Sequence, residues 1–182
     1  MALDTPNVFI FPRNEPGTTG HLDLVEPLRA LPGDLRDALA QISEAEALYR
    51  PAPGQPDAAP AWCIKEIVGH LRDAAEVDHK RLYMMSTQTD PVLQPWDQDA
   101  YARDHAYLSR PLDDMLRELE DQRAQTVFLL TTLVNWNWAR TGQHLERGRV
   151  SIRQMVEHMV EHEAQHLADV RALRAAAVAR GT

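Results

Sequence analysis

The sequence predicts an all-α fold, a four-helix bundle with a long crossover between its second and third helices. Four stretches repeat apolar residues at intervals of three and four, the spacing that lines one face of a helix. Clusters of proline and glycine separate those stretches, and both residues interrupt regular structure. Nowhere do apolar and polar residues alternate with the period of two expected of a half-buried strand. With 182 residues, 44% of them hydrophobic, the chain has enough apolar material for one core without cross-links.

Residues 1–24 contain Pro6, Pro12, Pro16, Gly17 and Gly20 and read as an irregular arm, so the bundle domain is expected over 25–182. A first helix is predicted from Pro32 to Leu48, with Leu35, Leu39 and Ile42 on one face. The linker RPAPGQPDAAPA follows, with four prolines between Pro51 and Pro60. A second helix is predicted from Ala61 to about Ser86, its core side marked by Ile64, Ile67, Leu71, Ala74, Ala75 and Leu82. The connection over 89–110, with Pro91, Pro95 and Trp96, is long enough to cross the bundle end. A third helix is expected from Leu112 to Val134, carrying Leu116, Leu119, Val127 and Leu130. Ser151 is a good N-cap, because its hydroxyl can accept from a free N–H of the first turn, and a fourth helix follows from Ile152 to Ala179.

Charge and cysteine usage narrow the function classes. The formal net charge is −8, from 19 Lys and Arg against 27 Asp and Glu. An acidic chain with no basic run is a poor match for nucleic acid or anionic lipid. The single cysteine, Cys63, excludes an internal disulfide framework and a thiolate zinc cluster. The start MALDTPNVFIFPRNEP lacks the basic residues of a secretory signal. The apolar run Val127–Val134 is far too short to cross a bilayer. The expectation is a cytoplasmic protein whose partner is a small-molecule substrate, with neither nucleic acid nor membrane involved.

The unusual feature lies in the fourth helix, where HMVEHEAQH sets His158, His162 and His166 four residues apart. This spacing stacks neighbours on one face, so two imidazoles can converge on one metal ion. Ile152, Met155, Val156, Met159, Leu167 and Val170 define that helix's core arc at about 100° per residue. His166 falls within it and His162 on its border, whereas His158 turns toward solvent. On the second helix His70 stands at the edge of the core arc and His79 points away. His70, His162 and His166 therefore form a candidate three-histidine metal site; His21, His105 and His144 cannot be placed.

Asp78 and Glu163 also fall on core faces. Buried acids need partners, which arginines such as Arg81 and Arg123 can supply. Alternatively, one of the two supports a ligand histidine from behind or relays a proton. A di-iron bundle needs two Glu-x-x-His units. Glu163 and His166 form one, but Glu76 and His79 lie outside the core arc of the second helix, so that reading fails. Cys63 is on the His70 side yet about 10 Å away along the axis: able to line a cavity, too far to share a metal. Trp136 and Trp138 are candidates to wall a pocket.

Three stretches, AWCIKEIVGHLRDAAEVDHKRL, DQDAYARDHAYLSRPLDDMLRELEDQR and ARTGQHLERGRVSIRQMVEHMVEHEAQHLADVRALR, together resemble the DinB/YfiT-like family of metal-dependent four-helix-bundle proteins. The resemblance spans roughly residues 35–175, with Trp62 eight residues before His70 and His-Glu-x-x-His on the last helix. It implies a bundle with a long crossover and a divalent metal, commonly zinc or nickel. One histidine of the second helix and a His-x-x-x-His pair of the fourth hold that metal, matching His70, His162 and His166. It further implies a homodimer, and chemistry that includes thiol-dependent transfer and maleylpyruvate isomerisation with a low-molecular-weight thiol. Relatives often carry an acid five residues after the first histidine, where this chain has Ala75.

The expected function is that of a metal-dependent enzyme, a thiol-dependent S-transferase or a hydrolase acting on a small electrophile. Three neutral histidines leave an ion's full charge to activate a thiol or a water. The alternative is a non-catalytic bundle that binds a metal or small ligand, as in a stress response. A third reading has the histidines merely packed. The loop residues His144, Tyr101 and Asp104 carry no assigned role.

Overall fold

The computed structural model describes residues 21–51 and 62–180. Its helices are α1 (Leu22–Ala38), α2 (Glu44–Ala47), α3 (Ile64–Thr87), α4 (Gln98–Asp104), α5 (Leu112–Thr132) and α6 (Ile152–Ala179). The four long ones, α1, α3, α5 and α6, form the bundle. Two 3-10 turns, Tyr107–Ser109 and Asn135–Ala139, lie in the connections. No helix among the described residues is long and apolar enough to cross a membrane.

The last three long helices lie where the apolar periodicity put them; the first does not. The expected helix Pro32–Leu48 is displaced, since α1 starts at Leu22 and carries Pro27 and Pro32 within it. A proline inside a helix lacks an N–H and costs about 3 kcal/mol. Here the buried stripe Val25, Leu28, Leu31 and Leu35 outweighs that cost. The helix then breaks where Gln41 adopts a left-handed φ of 59°, and α2 begins at a capping box between Ser43 and Glu46. The proposed boundary at residue 25 therefore falls inside α1; residues 1–20 of the arm and 52–61 of the linker lie outside the described residues.

Local signals set both ends of the helices that matter most. The Glu66 carboxylate accepts from the Cys63 N–H at 2.8 Å, closing the first turn of α3. Ser151 Oγ accepts from Gln154 N at 3.2 Å while Gln154 Oε1 accepts from Ser151 N at 2.9 Å, a reciprocal capping box that starts α6. Buried Lys65 donates to Glu44 Oε1 and to the Leu108 carbonyl, tying α3 to α2 and to the first 3-10 turn.

Strands are present, contrary to the sequence expectation. β1 (Val92–Leu93) pairs in parallel with β2 (Thr141–His144), which pairs antiparallel with β3 (Gly148–Ser151). Strands this short show no measurable alternation. Their turn is closed by Gly148, whose φ of 73° favours glycine. β3 runs directly into α6.

The core divides into two apolar layers. One holds Leu31, Leu35, Ile67, Leu71, Met115, Leu119, Val170 and Leu173; the other holds Val25, Leu28, Leu82, Met85, Val127, Leu130, Val156 and Met159. α3 and α5 both begin in the first layer and end in the second, so they run parallel, while α1 and α6 run the opposite way. α1 packs on α5 and α6, and α3 packs on the same two. The path is up, down, down, up. A parallel step between α3 and α5 must travel back along a helix of 24 residues, about 36 Å. This is why the connection between them is long. Between the two apolar layers lies a polar level carrying His162, Glu163, His166, Asp78 and Arg123.

Candidate metal centre

α3 contributes His70, and α6, packed beside it, contributes His162 and His166 from successive turns. Their side chains converge. His162 Nε2 stands 3.1 Å from His70 Nε2 and 3.0 Å from His166 Nε2. Among the described residues this is the one group of three metal-ligating side chains whose donor atoms come together.

The chemistry of these nitrogens decides what fits among them. A neutral imidazole has one donor and one acceptor nitrogen, each with a single bonding direction. At most one of the two contacts at His162 Nε2 is therefore a hydrogen bond, and the other sets two nitrogens against each other. A cation between them resolves this, since two nitrogens each about 2.0–2.1 Å from a tetrahedral zinc stand about 3.3 Å apart. Burial, then the charges of His166 and His162, pushes His70 down to about 3. Burial, aided by His166, His158 and Arg147, brings His162 down to about 4. Burial also lowers His166, against the opposing pull of Asp169. All three rings are thus neutral near pH 7 with lone pairs to offer. The donor set fits a divalent ion.

The far nitrogens, His166 Nδ1 and His70 Nδ1, are both buried without a hydrogen-bond partner, but only the first has a carboxylate near it. His166 Nδ1 lies 3.5 Å from Asp169 Oδ2, beyond a tight hydrogen bond. Gln165 Nε2 donates to the other Asp169 oxygen at 3.0 Å, holding the carboxylate in place. His70 Nδ1 is buried with no hydrogen-bond partner, so Asp78 does not replace the acid missing at Ala75. Aromatic rings steady His70 instead: Trp62 meets it edge-on at 5.0 Å and Trp96 stacks on it at 5.5 Å.

Both carboxylates singled out in the sequence turn to arginines. Asp78 Oδ1 lies 3.5 Å from Arg81 Nη1, and Glu163 pairs with the buried Arg123. Burial raises Asp78 to about 6 and Glu163 to about 7 despite those cations. Neither bonds to one of the three histidines. The acid beside the three histidines is Asp169, which its position three residues after His166 could have revealed.

Two of the three histidines, His70 and His162, line a cavity of about 220 Å³ together with Trp96, His144, Arg81 and Arg147 among others. His144 Nδ1 accepts from the Glu146 N–H at 3.3 Å. His158 is exposed, as its phase indicated, yet it also lines this cavity and stacks on His162 at 5.9 Å. Tyr101 stands one ring further back, against Trp96, and Asp104 is exposed. Cys63 is buried at the start of α3 and does not line the cavity. Nor does Trp138, which stacks on His21 at 4.3 Å, or Trp136, which is exposed. His79, rejected by phase, bonds Thr126 Oγ1 at 3.2 Å, well apart from the triad's partners.

Beneath the site Asp73 is fully buried and accepts from His105 Nδ1 at 2.7 Å and from the Tyr107 hydroxyl. Sequence reasoning left His105 unplaced and passed over Asp73, because their partnership joins residues 32 apart.

Comparison with known proteins agrees with this geometry. The family model described as the DinB superfamily matches residues 28–170. A protein of Oceanobacillus iheyensis, provisionally named a metal-dependent hydrolase, is 28% identical over 112 residues, which cover 62% of this chain and 64% of that relative. The solved structure of YfiT from Bacillus subtilis superimposes with a TM-score of 0.77 over 90% of both chains at 19% identity. Its description provisionally assigns it as a metal-dependent hydrolase with an unusual four-helix bundle topology.

Proposed function

The chain belongs to the DinB superfamily, and we propose that it is a metal-dependent enzyme that turns over a small electrophile by transfer to a low-molecular-weight thiol or by hydrolysis. The observation that carries this reading is the convergence of three neutral imidazoles, from His70, His162 and His166, two of which, His70 and His162, line a cavity. When bound, a divalent ion such as zinc or nickel supplies a Lewis acid that makes a thiol or water brought to it a stronger nucleophile. The protein's own groups do the rest. Neutral rings donate lone pairs without adding charge, so the cation keeps its full field. Trp62 and Trp96 fix the His70 ring and keep water from one side. Asp169, 3.5 Å behind His166 Nδ1, stands where a carboxylate can orient a ligand histidine. His144 accepts at Nδ1, so its neutral ring carries its proton on Nε2 and presents a donor at the cavity wall.

Metal content per chain, measured by plasma mass spectrometry, tests the site. Near one equivalent is expected in the wild type after equilibration with zinc or nickel, and little in the His70→Ala/His166→Ala double variant. A wild type that stays empty would show packed histidines instead. Consumption of a small thiol that depends on an electrophile then marks a transferase, and turnover without thiol marks a hydrolase. A loaded protein inactive in both assays would be a binding module.

A further inference from the structure

The cavity that His70 and His162 line holds a second chemical feature, a pair of arginines from two separate elements. Arg81 comes from α3, and Arg147 comes from the turn between β2 and β3. The only carboxylate among the cavity's lining residues is Asp78. The lining therefore carries two formal positive charges against one negative, in a chain whose net charge is −8.

Neither guanidinium is saturated. Arg81 is largely enclosed, with 11% of its side chain exposed, and donates from Nη2 to the Gln94 carbonyl at 2.7 Å. Its contact with Asp78 is a single long one of 3.5 Å, between Nη1 and Oδ1. A guanidinium offers five N–H donors, so most of Arg81's capacity is unused. Arg147 makes no ion pair with a described residue, yet its charge is felt by Asp78, His144, His158 and His162. Its neighbour in the hairpin, Arg149, faces elsewhere, toward Asp90 and Thr141.

We propose that Arg81 and Arg147 form an anion subsite, so that the substrate carries a carboxylate or phosphate group held by these guanidiniums while its reactive end reaches the three histidines. Planar forks of N–H donors match two oxygens of such a group at once. The volume of about 220 Å³ is below the roughly 300–1,000 Å³ of pockets for drug-sized ligands, which suits a compact anion. This deepens the enzymatic reading of the same cavity, but anion binding does not itself require the metal.

Calorimetric titration with succinate and with inorganic phosphate, at constant ionic strength, tests the subsite in metal-free and in zinc-equilibrated protein. Metal content is measured on the same samples. At least one probe is expected to bind the metal-free wild type. Arg147→Gln should weaken it ten-fold or more, and Arg149→Gln should leave it unchanged. Arg147 sits in an exposed turn, so its variant should fold; Arg81→Gln, checked by circular dichroism, should weaken the same probe. The preferred probe identifies the anionic group. Equal affinity in the wild type and Arg147→Gln, or no binding by the wild type, would overturn the subsite. Metal uptake without Arg147-dependent binding defeats only this proposal. Arg147-dependent binding in a protein that takes up no metal supports it and defeats only the metal reading.

Discussion

His162 is the residue on which the site closes, because its Nε2 is the atom near both other rings. Its folded pKa of about 4 and that of His70 near 3 lie below the ordinary 6.5. Between those values the unfolded chain binds protons that the folded one refuses, so these two groups stabilise fully above pH 6.5 and progressively less as pH falls toward 4. Asp78 and Glu163 act in the opposite sense. Their pKa values are raised to about 6 and about 7, so their favourable contribution is present at low pH and lost as pH rises through those values. Comparing metal-free wild type with His162→Gln cancels the carboxylates. Urea midpoints between pH 4 and 7 should fall less steeply on acidification in the variant. An unchanged slope would mean that His162 is not held neutral by the fold.

At the scale of elements, contacts between helices and the loops that cap them position the three histidines. Gly69 sits one residue before His70, and a Cβ there would lie 2.4 Å from the Tyr107 ring. The absence of a side chain lets the first 3-10 turn lie against α3, where the Tyr107 hydroxyl reaches Asp73. Gly69→Ala should therefore destabilise by about 1–3 kcal/mol through overpacking, although alanine is the better helix former by about 1 kcal/mol. Chemical denaturation would measure this, and a stabilised variant would show that the turn is free to move. The β2–β3 hairpin has the corresponding task on the other side, since it carries both His144 and Arg147 to the cavity and leads into α6. Sequence periodicity missed the hairpin because strands of four residues make one or two alternations at most.

Across the whole molecule, the buried ion pair of Arg123 and Glu163 joins α5 to α6, helices that lie diagonally, through the polar level between the two apolar layers. Breaking a buried pair leaves its partner charged and unmatched, at a cost of about 3–5 kcal/mol. Because Glu163 is raised to about 7 and is partly protonated at neutral pH, Glu163→Ala should cost near the lower end, about 3 kcal/mol. A loss below 1 kcal/mol by urea denaturation would show that Arg123 finds water instead. The same polar level places His162 and His166, both half-buried, where the apolar packing is interrupted.

The chain's own sequence determined the helices α3, α5 and α6, the long connection, and which three histidines converge. Each of these is written in local periodicity: apolar residues every third or fourth place, Ser151 before the last run, and two histidines one turn apart. Whether Asp78 or Glu163 would serve a histidine or an arginine was undecidable at that level, because side-chain partners on different helices are set by how the helices cross. The placement of α1 through Pro27 and Pro32, the Asp73–His105–Tyr107 cluster, Trp96 on His70, and the Arg81–Arg147 wall were likewise decided only by tertiary packing. Burial there outweighs local propensity and brings together residues that no sequence interval connects.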